Sequence, residues 1–361
     1  MNQTTNNAPK IYDNLAIKNL DNSMIEISAS IATDQYESFR PQALKNLNDS
    51  ITIDGFRKGM VPENVLITKV GEAAILEEIA ELALSKAYVA IVIDNKLNAI
   101  GKPQVQVTKL AKGNPMEFKA TTAIIPEIKL PEYKKLSATI IKKRDSLPYE
   151  VTDKDVEDTI LRIRKSHVSH DKHDHDKLTP EEHEKMILDS LPEFNDDFVR
   201  GLGGEFDNVE DFKIKIREMI GESKKDEARE KLRLEIADAL TSATSVVLPE
   251  IMIESELNRT QTQFEADIEK MGVKLDDYLK HAKKTLTDIR KEWRPHAEKK
   301  AKLQLILNAI AEAEQIAPDP KEIEVEVNHI VKHYKDADRD HATVYAETIL
   351  TNEKVFAFLE K

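Results

Sequence analysis

The sequence predicts an α+β fold at its N-terminal end, an antiparallel sheet carrying helices, followed by an extended all-α region. Three observations predict it. Apolar and polar residues alternate, the period of strands, within 11–32 and again within 103–125. At Pro126 the composition changes to the proline-spaced IPEIKLPEYKK. After Leu191 apolar residues recur at helical spacing nearly to the end. These shifts divide the chain into an α+β part over 1–130, a connecting part over 131–190 and an α-helical part over 191–361.

In order, 11–32 reads as two short strands about an Asp21-Asn22 turn, with Leu15, Ile17 and Leu20 before it and Met24, Ile25, Ile27 and Ile31 after. A helix follows, capped by Thr33 or Asp34, in which Tyr36, Phe39, Ala43, Leu44 and Leu47 recur and Pro41 predicts a kink. Glu63 to Asp94 reads as one short and one longer helix broken near Gly71. Pro103 to Leu110 and Met116 to Ile125 read as strands paired around Gly113-Asn114-Pro115. Leu136 to Lys142 reads as one more strand. Thr152 to His167 is a capped helix with Val156, Ile160 and Ile163 on one face. A short helix start at 179–182 follows a polar tract. Beyond Leu191 long helices are expected over 209–240, from Pro249 through Met271, over 287–315, from Ile323, and over 344–359.

Composition bounds the function. Forty per cent hydrophobic and 33% charged residues in 361 make a globular chain long enough for two or three domains. With no cysteine, disulfide staples, thiolate metal sites and cysteine nucleophiles are excluded, and a reducing compartment fits. Met1 to Pro9 has no cationic start and no apolar run, and Ala87 to Ile93 is too short to span a bilayer, so a cytoplasmic protein without a membrane partner is expected. The net charge of −13 is uneven, with 19 Lys and Arg against 18 Asp and Glu in 1–150 and 34 against 48 in the remainder. A near-neutral first part can approach phosphate through a local basic tip, whereas the acidic second part is repelled from nucleic acid, DNA included.

The most informative stretch is Gly55-Phe56-Arg57-Lys58-Gly59-Met60-Val61-Pro62. Two glycines four apart bracket an aromatic ring and two cations, and a proline closes the segment. Physical chemistry alone makes it a Gly-bounded surface turn. The pattern Gly-Phe-Arg-x-Gly-x-x-Pro, however, resembles the ribosome-binding signature of bacterial trigger factor, with every fixed position present. Supporting matches are Val151-Thr152-Asp153, Leu191-Pro192-Glu193-Phe194-Asn195-Asp196-Asp197-Phe198, the VVLPE of 246–250 and Lys354-Val355-Phe356-Ala357-Phe358-Leu359.

The resemblance implies an ATP-independent chaperone that binds nascent and unfolded polypeptides. It implies docking on protein and RNA of the large ribosomal subunit beside the tunnel exit. By position it transfers the docking role to Gly55, Phe56, Arg57, Lys58, Gly59 and Pro62. Met60 stands where a second Lys is common, which implies weaker or less salt-sensitive docking. No cofactor and no catalytic residue are implied.

The family normally inserts an FK506-binding-type prolyl isomerase near 168–190. Here that stretch is 23 mostly polar residues, too few to fold alone. A peptidyl-prolyl isomerase is therefore the alternative function whose module is missing. The same stretch carries His170, His173 and His175, flanked by His167 and His183 and mixed with Asp171, Asp174 and Asp176. Such donors could take Zn²⁺ or Ni²⁺ and make a metal-binding protein, but a tract without a second shell reads as a solvated linker. Trp293, Phe264 and Met271 fit either helix core or a client-binding surface.

Overall fold

The computed structural model describes residues 10–144, 150–168, 180–203, 206–334 and 337–361. Contacts group the chain into two units, Met1–Lys129 with Thr244–Ile306, and Leu130–Ala243 with Leu307–Lys361.

In the first unit β1 (Asp13–Leu20) and β2 (Met24–Ile31) form an antiparallel hairpin through the expected Asp21-Asn22 turn. The 33–50 run breaks rather than kinks. It makes α1 (Thr33–Glu37) and α2 (Arg40–Ser50), because Pro41 sits in the first turn of α2, where its missing N–H costs nothing. Neither Thr33 nor Asp34 caps α1; the cap position is Ala32, without a side-chain bond. Next come α3 (Glu63–Val70) and α4 (Glu72–Asp94), separated at Gly71, whose φ of +87° a residue with a Cβ rarely adopts. The sheet is completed by β3 (Ala99–Lys109) and β4 (Met116–Ile124), in the order β1-β2-β4-β3.

One face of this sheet is covered by α4. Ile25, Ile27, Ala29 and Ile31 alternate along β2, and Ala29 lies opposite Phe118 of β4. Ile75, Ile79, Ala83, Ala87 and Ile91 meet them at four-residue spacing, all fully buried. Each isoleucine so buried contributes about 2 kcal/mol.

The second unit opens with α5 (Tyr133–Arg144), where a strand was expected. Thr139-Ile140-Ile141 has strand propensity, but Tyr133, Leu136, Ser137, Ile140 and Ile141 also share one helical face, and packing on a neighbouring helix decides for that period. Then follow α6 (Asp153–Ser166), α7 (Pro180–Asp189), α8 (Asp196–Gly201) and α9 (Val209–Ala243), against which α5 packs. Thr152 and Asp155 cap α6 reciprocally, and Lys224 of α9 bonds Asp155 at 2.7 Å. These bonds, that from Lys224 foremost, hold the Asp155 carboxyl well below its ordinary value. Val156, Ile160, Val199, Phe212 and Ile216 form the core of this region.

Residues 244–306 return to the first unit with α10 (Glu250–Lys270), the unanticipated α11 (Leu275–Ala282) and most of α12 (Leu286–Ala313). Helix α13 (Pro320–His333) and α14 (Arg339–Leu359) pair in the second unit around Val327, Ala342 and Ala346. Both begin on aspartate caps, Asp319 and Asp338.

Candidate functional site: a double-turn loop and the apolar surfaces

The stretch from Ile53 to Met60 folds as two consecutive four-residue turns. The Phe56 amide donates to the Ile53 carbonyl at 3.1 Å, and the Met60 amide donates to the Arg57 carbonyl at 2.9 Å. In each turn the third residue is a glycine, Gly55 at φ +90° and Gly59 at φ +79°, the position at which a type II turn needs positive φ. The four-residue spacing of the glycines is therefore the spacing of the turns. Between them Phe56, Arg57 and Lys58 lie exposed, and among the described residues neither cation is held in an ion pair. Phe56 keeps 39% of its surface in water and Met60 72%.

The base of the loop is anchored. Val61 is buried, and Pro62 is the cap position of α3, whose Leu66 is buried too. Asn48, in the last turn of α2, clasps Val61 from both sides: its Nδ2 donates to the Val61 carbonyl at 2.9 Å, and its Oδ1 accepts from the Val61 amide at 3.1 Å. Its own carbonyl accepts from the Gly59 amide at 3.1 Å. A Cβ on Gly59 would stand 2.9 Å from Asp49 Oδ1, so the loop runs against the end of α2. Helix α2 is in turn held to α4, where Arg40 forks onto Glu72 at 2.8 and 3.2 Å and Asn46 bonds Glu78 at 2.8 Å. The bond from Arg40 lowers the Glu72 pKa, and Glu72 raises that of Arg40. Chemically the tip offers a planar cationic fork suited to carboxylate or phosphate, a second point charge and an apolar ring.

Beside α4 lies a cleft of about 980 Å³, with Ala80, Leu84 and Tyr88 on one side and Pro103, Val105 and Val107 on the other. Val105 and Val107 pair with Ala120 and Phe118 and so point to the α4 face of the sheet. Being on the edge strand they stay exposed, at 44% and 39%. In the α10–α12 region the two readings of the large apolar residues separate. Trp293 packs on Ile253, Leu257 and Ala297 and meets Phe264 edge-to-face at 5.0 Å, which makes it core. Met271 is 72% exposed. In the second unit Val325, Tyr334 and Val344 are exposed as well.

Among the described residues no group of three or more His, Asp or Glu is placed to hold a metal ion. His170, His173 and His175 lie outside the described residues. His167 caps α6 instead, with Nδ1 2.9 Å from the Ile163 carbonyl and its ring edge-on to Phe198. No described helix is long and apolar enough to cross a membrane.

Comparison with known proteins covers most of the chain. Residues 14–163 match the family model of bacterial trigger factor protein, and residues 208–359 match the model of the bacterial trigger factor C-terminus. The trigger factor of Moorella thermoacetica is 23% identical, over 89% of this chain and 87% of its own length. That of Streptomyces coelicolor is 25% identical, over 85% and 79%. The Moorella alignment runs over 394 residues, more than the 361 of this chain, so that relative carries residues with no counterpart here. A solved structure, described under "Promiscuous Substrate Recognition in Folding and Assembly Activities of the Trigger Factor Chaperone", shares the fold at a TM-score of 0.51 and 16% identity, covering 96% of this chain and 99% of that one.

Proposed function

Since the chain belongs to the trigger factor family, as matches over 14–163 and 208–359 show, and is thereby a ribosome-associated chaperone, we propose how this molecule carries out that role. It docks on the large ribosomal subunit, on protein and RNA at the tunnel exit, through Gly55, Phe56, Arg57, Lys58, Gly59 and Pro62. The observation that carries this assignment is the double turn, which exposes Phe56, Arg57 and Lys58 from a base pinned to α2. Arg57 and Lys58 meet phosphate or carboxylate, and Phe56 supplies apolar anchor area.

Docking raises the local concentration of apolar surface around the emerging chain. Unfolded segments are then held by several weak contacts, at Val105 and Val107 in the cleft beside α4 and at exposed residues of the helical part such as Met271 and Val344. Release follows when burial inside the client outcompetes them, so no ATP is needed. The parts 1–130, 131–190 and 191–361 serve as docking domain, connector and client-binding domain. The protein works in the cytoplasm.

The two family matches leave only residues 164–207 between them. An isomerase must enclose an X-Pro bond whose barrier is about 18–20 kcal/mol; residues 194–202 of that gap belong to the helical core, and the 23 mostly polar residues of 168–190 are too few to supply such an enclosure. Holding, without prolyl isomerisation, is the activity we assign.

Replacing Phe56, Arg57 and Lys58 together by Ala tests the docking. Co-sedimentation with large ribosomal subunits should be abolished while circular dichroism and melting stay unchanged, because residues on an exposed turn contribute little to folding. Unimpaired co-sedimentation would overturn the assignment.

A further inference from the structure

The geometry points to Asn48 as the residue that positions the ribosome-docking loop, although it lies seven residues before the Gly55–Pro62 signature. That role presupposes the docking proposed above.

The loop has two halves held in different ways. Among the described residues the first turn, through Phe56, is closed by its own bond to Ile53 alone. The second is bound to a rigid element: Asn48 takes up both polar groups of the Val61 backbone and, through its own carbonyl, the Gly59 amide. These three bonds satisfy two needs together. The last carbonyls of a helix lack partners within it, and Gly59 supplies one for Asn48. Val61 is 5% exposed, so its N–H and C=O have little access to water and depend on the Asn48 amide.

A side-chain amide presents a donor and an acceptor side by side in this way, whereas an ionised carboxylate presents acceptors alone. The clasp fixes where the second turn leaves α2, and that fixes the direction in which Arg57 and Lys58 point. Gly59 belongs to the same device, since its amide makes the bond to the Asn48 carbonyl. In this chain, then, the docking tip is aimed by the C-terminal turn of α2, which Arg40 and Asn46 fasten to α4.

The test compares Asn48→Ala and Asn48→Asp with the parent and with the triple Ala variant of Phe56, Arg57 and Lys58. Dissociation constants and saturating bound fractions are measured against purified ribosomes, and amide hydrogen exchange at Gly59 and Val61 is measured in the free protein. Asn48→Ala should raise the dissociation constant about tenfold, the effect of losing one or two hydrogen bonds at a buried backbone site. The saturating fraction and the salt dependence should stay those of the parent, since the phosphate-facing cations remain. Partial unfolding would instead lower the saturating fraction. Asn48→Asp should weaken binding at least as much, because its second oxygen faces the Val61 carbonyl. Val61 exchange should quicken in Asn48→Ala, which removes the acceptor of its N–H, and less in Asn48→Asp, which keeps one.

Parent-like affinity in Asn48→Ala, with binding lost in the triple variant, would overturn the positioning role and leave the docking loop standing. Parent-like binding in the triple variant would remove the docking assignment and this role with it. Unchanged exchange at Val61 in Asn48→Ala would overturn the clasp itself, whatever the ribosome measurements show.

Discussion

Gly59→Ala probes whether the loop must hold its double turn to dock. In the structure Gly59 has φ +79°, a region that costs a residue with a Cβ about 1–2 kcal/mol. The added methyl would also stand 2.9 Å from Asp49 Oδ1, but that oxygen ends an exposed side chain that can rotate away. Strain therefore dominates. A penalty of about 1–2 kcal/mol reduces the population of the docking-competent loop about 5- to 30-fold, and the apparent dissociation constant for ribosomes rises by the same factor. Gly55→Ala, at φ +90° with nothing within 4 Å of its Cβ, carries the same strain without the contact and should fall in the same range. The double variant Asp49→Ala/Gly59→Ala should match Gly59→Ala within about twofold. Ribosome titration of labelled protein gives the constants, and melting curves should be unchanged because the strain is confined to a surface loop. Parent-like affinity in both glycine variants would refute the reasoning, since docking would then not require this backbone.

Arg233 of α9 forks onto Glu353 at 2.6 Å through both terminal nitrogens, bonds Glu360 and lies over the Phe356 ring, so Arg233→Met should destabilise the second unit by about 2 kcal/mol in urea unfolding, a value reduced for partial exposure, and leave ribosome affinity unchanged. The bond from Arg233 holds the Glu353 carboxyl below its ordinary 4.5, so its stabilisation is complete above that pH and disappears as the pH falls through the folded value; the difference between parent and variant should shrink in acid. Val105→Asp/Val107→Asp should reduce suppression of aggregation of a denatured client two- to threefold, read by light scattering, without changing ribosome affinity, because it charges the cleft and not the loop. The parent should suppress that aggregation near stoichiometrically without ATP yet leave the slow proline-limited refolding of a test protein unaccelerated; acceleration at one chaperone per about one hundred clients would reverse the assignment, since uncatalysed isomerisation takes tens of seconds or more.

What could be read from the sequence followed local rules. The two hairpins, the break at Gly71 and the reciprocal cap at Thr152 depend on residues a few positions apart, and so does the turn-forming character of Gly55 and Gly59. The errors arise where partners distant in sequence decide. Thr139-Ile140-Ile141 becomes helical because α5 packs along α9, some 80 residues away. Pro41 opens a second helix rather than kinking one, with α1 and α2 both packed on α4, and Ala32 takes a cap position that propensity would give to Thr33. Helix α11 carries Leu275, Tyr278, Leu279 and Ala282 at helical spacing, but over eight residues that period is too short to stand out between two long helices. Asn48 is one polar residue among several near the end of α2, and only the return of the chain to Gly59 and Val61 distinguishes it. The cleft beside α4 depends on Val105 and Val107 lying on an edge strand, which alternation alone cannot rank.

The central claim is that Phe56 touches the large ribosomal subunit. A photoreactive aromatic residue in place of Phe56 tests it directly, with the same residue in place of Val344 on the exposed face of α14 as control. Irradiated with purified empty ribosomes, where no client is present, the probe at 56 should crosslink to a single large-subunit protein or its adjoining RNA, and the probe at 344 to neither. Crosslinks from 344 but not from 56, or from neither while the protein still co-sediments, would show that this loop is not the docking surface.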